Sequence, residues 1–468
     1  MPQSIERAHR SYPWQRRRRR SLYIFCVALA ALAVPIALSR LHRGHAIRAL
    51  LEAGRSKGLP ATLEELGAWH SPPPQGPNAG DLYRSLPGNE MYDVSSYQIT
   101  FLIEATGNAP PRRGLGKDVY SNLERMLSPY QEILSVSHEA AHCETCLVVP
   151  DDPRKEIFDW TFLRNIQSIE RMHTAEAMMH AGQGRSKEAA EAIVSMAAPL
   201  ACFREQYLWP LQTFVFRQHQ AIAQVLEHAL NALAFDDEDL ACLDETVLRA
   251  LSPDAIVRTI AGSRLEILDE SAHPELLINP EEMRGWQQDR LHKSVLFGAL
   301  RAKSLLGMDT EDAAGFIRDT DALIDAARTS TAALLKTGQA LRLSANGIRQ
   351  DMALRRVMTD RMIRTSELFV QSVAHMLLVR TAIAAERYRI GHGAFPVTLA
   401  DLVPGYLDHL PGDPFLEGEP LHYRTLEGGY LLYSVGHNHQ DEGGTDPQNI
   451  YMTNQGDVVF RVERGNGT

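Results

Sequence analysis

The feature that most constrains this chain is an uncharged apolar run at residues 21–39, which directly follows five arginines, Arg16 to Arg20. The run reads SLYIFCVALAALAVPIALS, and its length is close to the ~20 residues that cross a bilayer as a helix. Positive charge flanking a span stays in the cytoplasm, so residues 1–20 are expected there. We therefore expect a single-pass membrane protein whose body lies outside the cytoplasm.

A second interpretation of the same run is a cleaved signal peptide. Ala37 and Ser39 are small residues at the spacing of a cleavage site. The apolar run is, however, longer than the usual signal core of about 7–15 residues, which favours a retained anchor. Both interpretations place the body of the protein on the same side of the membrane.

The charge of the body argues against nucleic-acid partners. The formal net charge of the chain is -10, although its first 20 residues contain seven arginines and one acid, Glu6. The remaining residues are therefore more acidic than the total indicates. Binding to phosphates needs a basic face, so we expect no nucleic acid among the partners.

The middle of the chain, residues 156–345, has the apolar periodicity of amphipathic helices. In residues 158–180 the apolar side chains recur at steps of three, four or seven, which predicts one buried stripe. Proline does not occur between Pro280 and Pro396, so long helices are permitted there. We expect an α-helical array or bundle, and helical arrays usually serve as binding surfaces for a protein partner.

The last part of the chain has a different pattern. Gly391 and Gly393 are predicted to end a long helix, and strand patterns follow at residues 420–426, 430–435 and 457–462. We expect a long helix packed on a three-stranded antiparallel sheet. The predicted fold is thus mainly α, with an N-terminal transmembrane helix, the helical array and a small α+β module. The predicted segments are 1–20, 21–39, 40–155, 156–345 and 346–468.

Two short connectors repeat the same local pattern. Each has a glycine that ends a helix, a proline, and then Thr-Leu-x-acid-Leu, with the threonine at Thr62 in one copy and Thr398 in the other. A threonine at this place is typical of a helix N-cap, because its hydroxyl accepts a backbone N–H. A helix stop, a turn and a short capped helix are expected in both.

A series of motifs in residues 376–462 follows a recognisable order: Ala385-Glu386-Arg387-Tyr388-Arg389, Gly393-Ala394-Phe395-Pro396, Leu410-Pro411-Gly412-Asp413-Pro414-Phe415, and Tyr430-Leu431-Leu432-Tyr433-Ser434-Val435-Gly436. The segment resembles the C-terminal part of the major pseudopilin of type II secretion systems. The resemblance implies a long helix, a three-stranded sheet and a calcium ion in the last loop. The helical remainder is similar to bacterial membrane-anchored helical proteins, which implies the bacterial inner membrane and a periplasmic body. Because the whole helical region separates the apolar run from this segment, we expect a protein that carries the module, not a pilus subunit.

The loop at residues 436–449, GHNHQDEGGTDPQN, contains the candidate metal ligands. Calcium takes six to eight oxygen ligands from carboxylates, amides and backbone carbonyls on a flexible loop. The candidate ligands are the carbonyl of Val435 and the side chains of Asn438, Asp441, Glu442, Thr445 and Asp446. Two alternatives are a solvated polar loop without metal, and a zinc site in which His437 and His439 act with a neighbouring carboxylate.

The sequence contains five cysteines, and Cys143 and Cys146 stand three residues apart. Outside the cytoplasm this spacing indicates a plain disulfide or two reduced thiols. The nucleotide-binding motifs, a P-loop lysine and G-x-G-x-x-G, do not occur. The first interpretation is a non-enzymatic envelope protein. The alternatives are a metal-dependent hydrolase at the 436–446 loop and a component of a secretion or pilus-like assembly.

Overall fold

The computed structural model describes residues 34, 37, 44–69, 76–87, 117–147, 160–250, 252, 254–272, 310–345, 352–445 and 456–464. The predicted membrane span at residues 21–39 lies outside the described residues except for residues 34 and 37, which are both helical. Asp446, one of the candidate calcium ligands, also lies outside them. The anchor therefore stays a prediction.

The described chain is mainly helical, as predicted. Residues 44–55 form a helix. The elements that follow are α1 (Leu63–Gly67), α2 (Ala79–Ser85), α3 (Lys117–Leu127), α4 (Gln131–Ala141), α5 (Trp160–Gly182), α6 (Ser186–Ala197), α7 (Trp209–Ala232), α8 (Asp237–Ala250), α9 (Ala255–Ala272), α10 (Thr310–Thr329), α11 (Thr331–Ser344), α12 (Ala353–His392), β1 (His422–Leu426), β2 (Gly429–Ser434) and β3 (Val458–Glu463).

The chain divides into two compact units. The first contains residues 1–61, 266–318 and 349–355. Within it, the buried carboxylate of Asp312 on α10 accepts the backbone N–H groups of Leu354 and Arg355 at 3.2 and 2.8 Å. These N–H groups lie in the first turn of α12 and have no partner within their own helix, so Asp312 caps α12 from another element.

The second unit contains residues 62–265, 319–348 and 356–468. In its helical part, α5 ends at Gly182, and Gly184 then takes a positive φ of 72° before α6 begins. The helices α5 and α6 pack directly against each other. The apolar stripe predicted for α5 is buried, since Ile166, Ile169 and Met172 are all 0% exposed.

The sheet is antiparallel, with the order β1-β2-β3. Leu426 pairs with Gly429 across a tight turn in which Gly428 has a φ of 79°, a conformation that favours glycine. The three predicted strands are confirmed, with their ends shifted by one or two residues. Every residue of β2 is buried, and the Tyr430 hydroxyl donates to the Ala382 carbonyl of α12 at 3.3 Å. The small sheet on a long helix is therefore confirmed.

One stretch of the described residues, Leu354–His392, is long and apolar enough to cross a membrane by length and composition. Most of its apolar window, 67%, is buried inside the protein. Arg380 of this helix pairs with Asp244 of α8 at 3.2 Å, and Arg387 pairs with Asp237 at 2.8 Å. These contacts are typical of the core helix of a folded body.

The outer edge of β3 is covered by α7. The Asn231 side chain donates to the Arg461 carbonyl at 2.8 Å and accepts the Glu463 N–H at 2.7 Å. One turn earlier, Glu227 accepts the Arg461 N–H at 2.9 Å. An edge strand presents unpaired backbone groups to any other chain. Here the helix satisfies those groups with side chains, so the sheet is built into the helical body.

We predict that Asn231→Ala lowers the free energy of unfolding by about 1–3 kcal/mol, because it leaves backbone groups of β3 without their partner. The matched control is Arg217→Ala, at an exposed position of the same helix, which is expected to change stability by less than about 0.5 kcal/mol. Urea denaturation of both variants provides the measurement. If the two variants had equal free energies of unfolding, the contact between Asn231 and the edge of β3 would contribute nothing to stability.

Candidate functional site

Two buried carboxylates hold the loop that the sequence predicts as a calcium site. Asp413 accepts the Ser434 hydroxyl at 2.8 Å and the Val435 N–H at 3.0 Å. Asp457 accepts the Gly444 N–H at 2.7 Å. Both side chains are almost completely buried, at 3% and 2% exposure. Asp413 therefore fixes the chain where the loop begins, and Asp457 fixes it at Gly444. Neither residue is one of the candidate calcium ligands.

The candidate ligands are engaged with the loop itself. Asp441 accepts the Gly443 N–H at 2.8 Å, and Thr445 donates to the Glu442 carbonyl at 2.7 Å. The Asn438 amide donates to the Glu442 carboxylate. Val435 lies at the end of β2, where its N–H is bound by Asp413. The described part of the loop, residues 436–445, is thus held by its own hydrogen bonds, and the calcium site stays a prediction.

Asp457 is the residue of this loop that the sequence reasoning missed. Burial and the neighbouring Glu442 carboxylate raise the pKa of Asp457 to about 6, although the Gly444 N–H opposes the change. Two carboxylates that approach each other without a cation favour keeping one proton. The available signal in the sequence was that Asp457 directly precedes the last strand of the sheet. Its position after the loop motif at residues 436–449 separates it from the candidate ligands in the sequence.

Among the described residues, His437 and His439 form no group with a carboxylate in which three ligand atoms lie close enough to share an ion. Their rings both lie against Phe415, at centroid distances of 4.8 and 6.4 Å. Within the described residues, the group of three metal-ligating side chains that lie close enough to share an ion is elsewhere. The alternative of a zinc site in this loop is therefore not supported by the geometry.

The disulfide joins Cys146 to Cys202, across 56 residues, while Cys143 remains a thiol. The plain disulfide between Cys143 and Cys146 is thus replaced by a longer connection. It links the segment after α4 to the 3-10 helix Ala198–Phe203, which follows α6. A cleft of about 490 Å³ lies beside it and is lined by polar and charged groups that include Cys143, Arg204, Glu205 and Glu245.

A second cluster lies inside the helical part, where α4 meets α5 and α6. One carboxylate oxygen of Glu176 lies 3.1 Å from His138 Nε2 and 2.9 Å from His173 Nδ1. The other oxygen lies 3.8 Å from His180 Nε2. Three imidazoles therefore surround one carboxylate, and three of the four residues come from α5.

The remaining nitrogen of two rings contacts a serine hydroxyl. His138 Nδ1 lies 2.7 Å from Ser195 Oγ, and His173 Nε2 lies 2.8 Å from Ser137 Oγ. Each chain of contacts runs from hydroxyl through imidazole to the shared carboxylate. Such an order is typical of nucleophilic hydrolases. Here both serines are 0% exposed, so a substrate has no access to either hydroxyl.

The electrostatics of the cluster are set by the single carboxylate. Burial would raise the pKa of Glu176, but the hydrogen bonds from His138, His173 and His180 hold that pKa far below its usual range. Burial also opposes protonation of His138, yet the bond to Glu176 raises its pKa overall. For the completely buried His173, burial is the larger effect and lowers the pKa. The carboxylate is therefore ionised, and of His138 and His173 it is His138 that more readily carries a proton.

The sequence does contain a weak signal for this cluster. His173, Glu176 and His180 stand at i, i+3 and i+7, positions that share one face of a helix. They interrupt the apolar face of α5, and a polar residue on a buried face needs a partner. The partner, His138, comes from another helix, where it opens an H-E-x-x-H motif at residues 138–142. This spacing, which places two histidines on one face of a helix, was the available signal for His138.

We predict that Cys146→Ser lowers the free energy of unfolding by about 2–4 kcal/mol, because it releases a long loop in the unfolded chain. Cys143→Ser, three residues away, is the matched control and is expected to leave both stability and the bridge unchanged. Peptide mapping without reductant, combined with thermal unfolding, tests the pairing. A bridge between Cys143 and Cys146 would contradict it.

We predict that Asp457 makes stability fall as the pH rises from about 4 to 6. The folded protein holds the proton up to a pKa of about 6, above the ordinary value of 3.8, so deprotonation in this window costs folding free energy. Asp457→Asn is expected to remove this part of the pH dependence. Denaturant midpoints measured across the window compare the two proteins, with Asp408→Asn, at an exposed site, as the control. Identical profiles for wild type and Asp457→Asn would refute the prediction.

Comparison with known proteins gives no relative for the chain. No protein-family model matches it, and neither a curated protein nor a solved structure matches it significantly. The functional interpretation therefore depends on the residues and their geometry.

Proposed function

We propose that the chain is a non-enzymatic, membrane-anchored envelope protein with a structural or protein-binding role. Its anchor is the helix predicted at residues 21–39, and its body lies in the periplasm of a bacterium. The pseudopilin-like module at its C-terminus is a fixed part of that body. The helical surface presents the site for a protein partner.

The observation that carries this proposal is the covered edge of β3. Glu227 and Asn231 of α7 bind the backbone of Arg461 and Glu463, so this edge is closed to strands of other chains. A module that is held in this way supports the body around it. This argues against the alternative of a subunit of a secretion or pilus-like assembly, which would need its module to contact further copies.

The disulfide supports the proposed compartment. Structural disulfides persist in oxidising places such as the periplasm and are rare in the cytoplasm. The bridge between Cys146 and Cys202 follows the predicted anchor in the sequence, whereas Arg16 to Arg20 precede it. The oxidising compartment that a structural disulfide favours is therefore the one in which the N-terminal arginines predict the body to lie.

The alternative of a metal-dependent hydrolase at the 436–446 loop has less support. Asp441 is exposed and binds its own turn through Gly443. The cleft described above is lined by residues from other parts of the chain, in the ranges 140–147, 197–205 and 242–250. Catalysis needs convergent groups in a concave site, and this loop does not bring them together among the described residues.

The proposal is tested by photo-crosslinking in intact cells, followed by isolation of the membrane fraction. A photoreactive amino acid replaces Val397 or Leu343, apolar side chains that are 80% and 68% exposed. These positions place the crosslinker at exposed apolar points of the helical part and of the C-terminal module. We expect the chain in the membrane fraction and a discrete crosslinked species for at least one position.

Matched controls use the exposed polar positions Glu188 and Glu417, where no discrete crosslink is expected. A chain recovered only from the soluble cytoplasmic fraction would refute the anchor. Crosslinks at neither apolar position, with the chain folded and in the membrane, would refute the protein-binding role.

A further inference from the structure

The cluster on α4 and α5 has the dimensions of a transition-metal site. His138 Nε2, His173 Nδ1 and a carboxylate oxygen of Glu176 all lie within 4.8 Å of one another. The two nitrogens stand 3.1 and 2.9 Å from the same oxygen. In tetrahedral zinc sites with bonds of about 2.0–2.1 Å, neighbouring ligand atoms are roughly 3.3 Å apart. Because the two nitrogens lie within 4.8 Å of each other, they approach by up to about 1.5 Å when the three atoms surround one ion.

The surroundings of the two rings match what metal-bound histidines need. A ligating imidazole usually donates its other N–H to an oxygen, which fixes the tautomer and orients the ring. His138 has Ser195 Oγ at 2.7 Å on its other nitrogen, and His173 has Ser137 Oγ at 2.8 Å. Both serines are fully buried, so these partners are held in place by packing and not by solvent.

A fourth ligand is available on the same helix. His180 follows Glu176 by one turn, and its Nε2 lies 3.8 Å from the second carboxylate oxygen. Its Nδ1 is buried and has no hydrogen-bond partner among the described residues. A buried imidazole with an unused nitrogen is costly unless something binds it. His180 lies outside the group of three that is close enough to share an ion, so its ring turns toward the site when it completes a set of three imidazoles and one carboxylate.

Charge and access also favour a cation. The Glu176 carboxylate lies 2.9, 3.1 and 3.8 Å from three imidazoles, so the cluster presents one acidic group to a cation. The side chains of His138 and Glu176 are 22% and 13% exposed, whereas His173 is 0% exposed. The cluster is thus open on one side and closed on the other, which gives an ion a path of entry.

We propose that His138, His173 and Glu176, completed by His180, bind one divalent transition-metal ion of the zinc class. Imidazole nitrogens select zinc and its neighbours over calcium and magnesium, which prefer oxygen. Four protein ligands leave no open position, so the ion holds α4 against α5 and does no chemistry. The site is independent of the proposed membrane role, because it depends only on the packing of the helical part.

The test is a titration of the full chain, purified in mild detergent and freed of metal by a chelator, with Zn²⁺ and with Co²⁺. We expect one equivalent of Zn²⁺ to bind with a dissociation constant below micromolar. The Co²⁺ form is expected to show the intense visible absorption of tetrahedral coordination. Binding is also expected to raise the unfolding temperature of the wild-type chain.

Variants separate the site from other metal-binding groups. His138→Gln and Glu176→Gln are each expected to weaken Zn²⁺ binding by at least 100-fold, and Ser137→Ala by about 10–100-fold through the orientation of His173. His409→Ala, at an exposed histidine outside the helical cluster, is the matched control and is expected to bind normally. Asp441→Ala serves as a second control in the distant loop. Circular dichroism without metal establishes that each variant is folded.

The outcome that overturns the proposal is a folded wild-type chain that binds no stoichiometric Zn²⁺. Stoichiometric binding that survives in both folded His138→Gln and Glu176→Gln would also overturn it. If both ligand variants fail to fold, the folded Ser137→Ala variant decides, because unchanged affinity there contradicts an ion on His173. A Co²⁺ spectrum of octahedral type would exclude the closed four-ligand site.

Discussion

The contact between α7 and the edge of β3 is the interaction on which the C-terminal half depends. Glu227 and Asn231 satisfy backbone groups that an open sheet would leave to solvent or to another chain. The junction continues into Arg464, which donates to the Leu230 carbonyl and pairs with the buried Glu386 of α12. The sheet, its core helix and α7 are therefore joined by hydrogen bonds and charge as well as by apolar packing.

A second set of constraints ties α4 to α6, and it consists of a hydrogen bond between side chains and a disulfide. Ser195 of α6 contacts His138 of α4 inside the helical part. The Cys146–Cys202 bridge then connects the segments that follow these two helices. Since both constraints fix the same pair of helices, oxidation of the cysteines also limits how far the histidine–glutamate cluster can open. An oxidising compartment and a metal ion would thus stabilise one arrangement of the helices.

The sequence by itself determined the features that depend on near neighbours. The periodicity of residues 158–180 defined the buried face of α5, because apolar side chains at steps of three and four share one side of a helix. Thr62 caps α1 by accepting the Glu65 N–H, and Thr398 forms a capping box with Asp401. Glycine with a positive φ follows both preceding helices, at Gly58 and Gly393. Each of these features is set within about one turn of chain.

Only the tertiary structure decided which distant polar groups meet. Cys146 pairs with Cys202 and not with its neighbour Cys143, because packing brings the ends of α4 and α6 together. His138 meets Glu176 because α4 packs against α5. Asn231 contacts Arg461, which follows it by 230 residues. Hydrogen bonds and disulfides need partners within a few ångströms in space, whatever their separation in sequence. Local pattern carries no information about that distance, so the buried polar sites became visible only once the helices were packed.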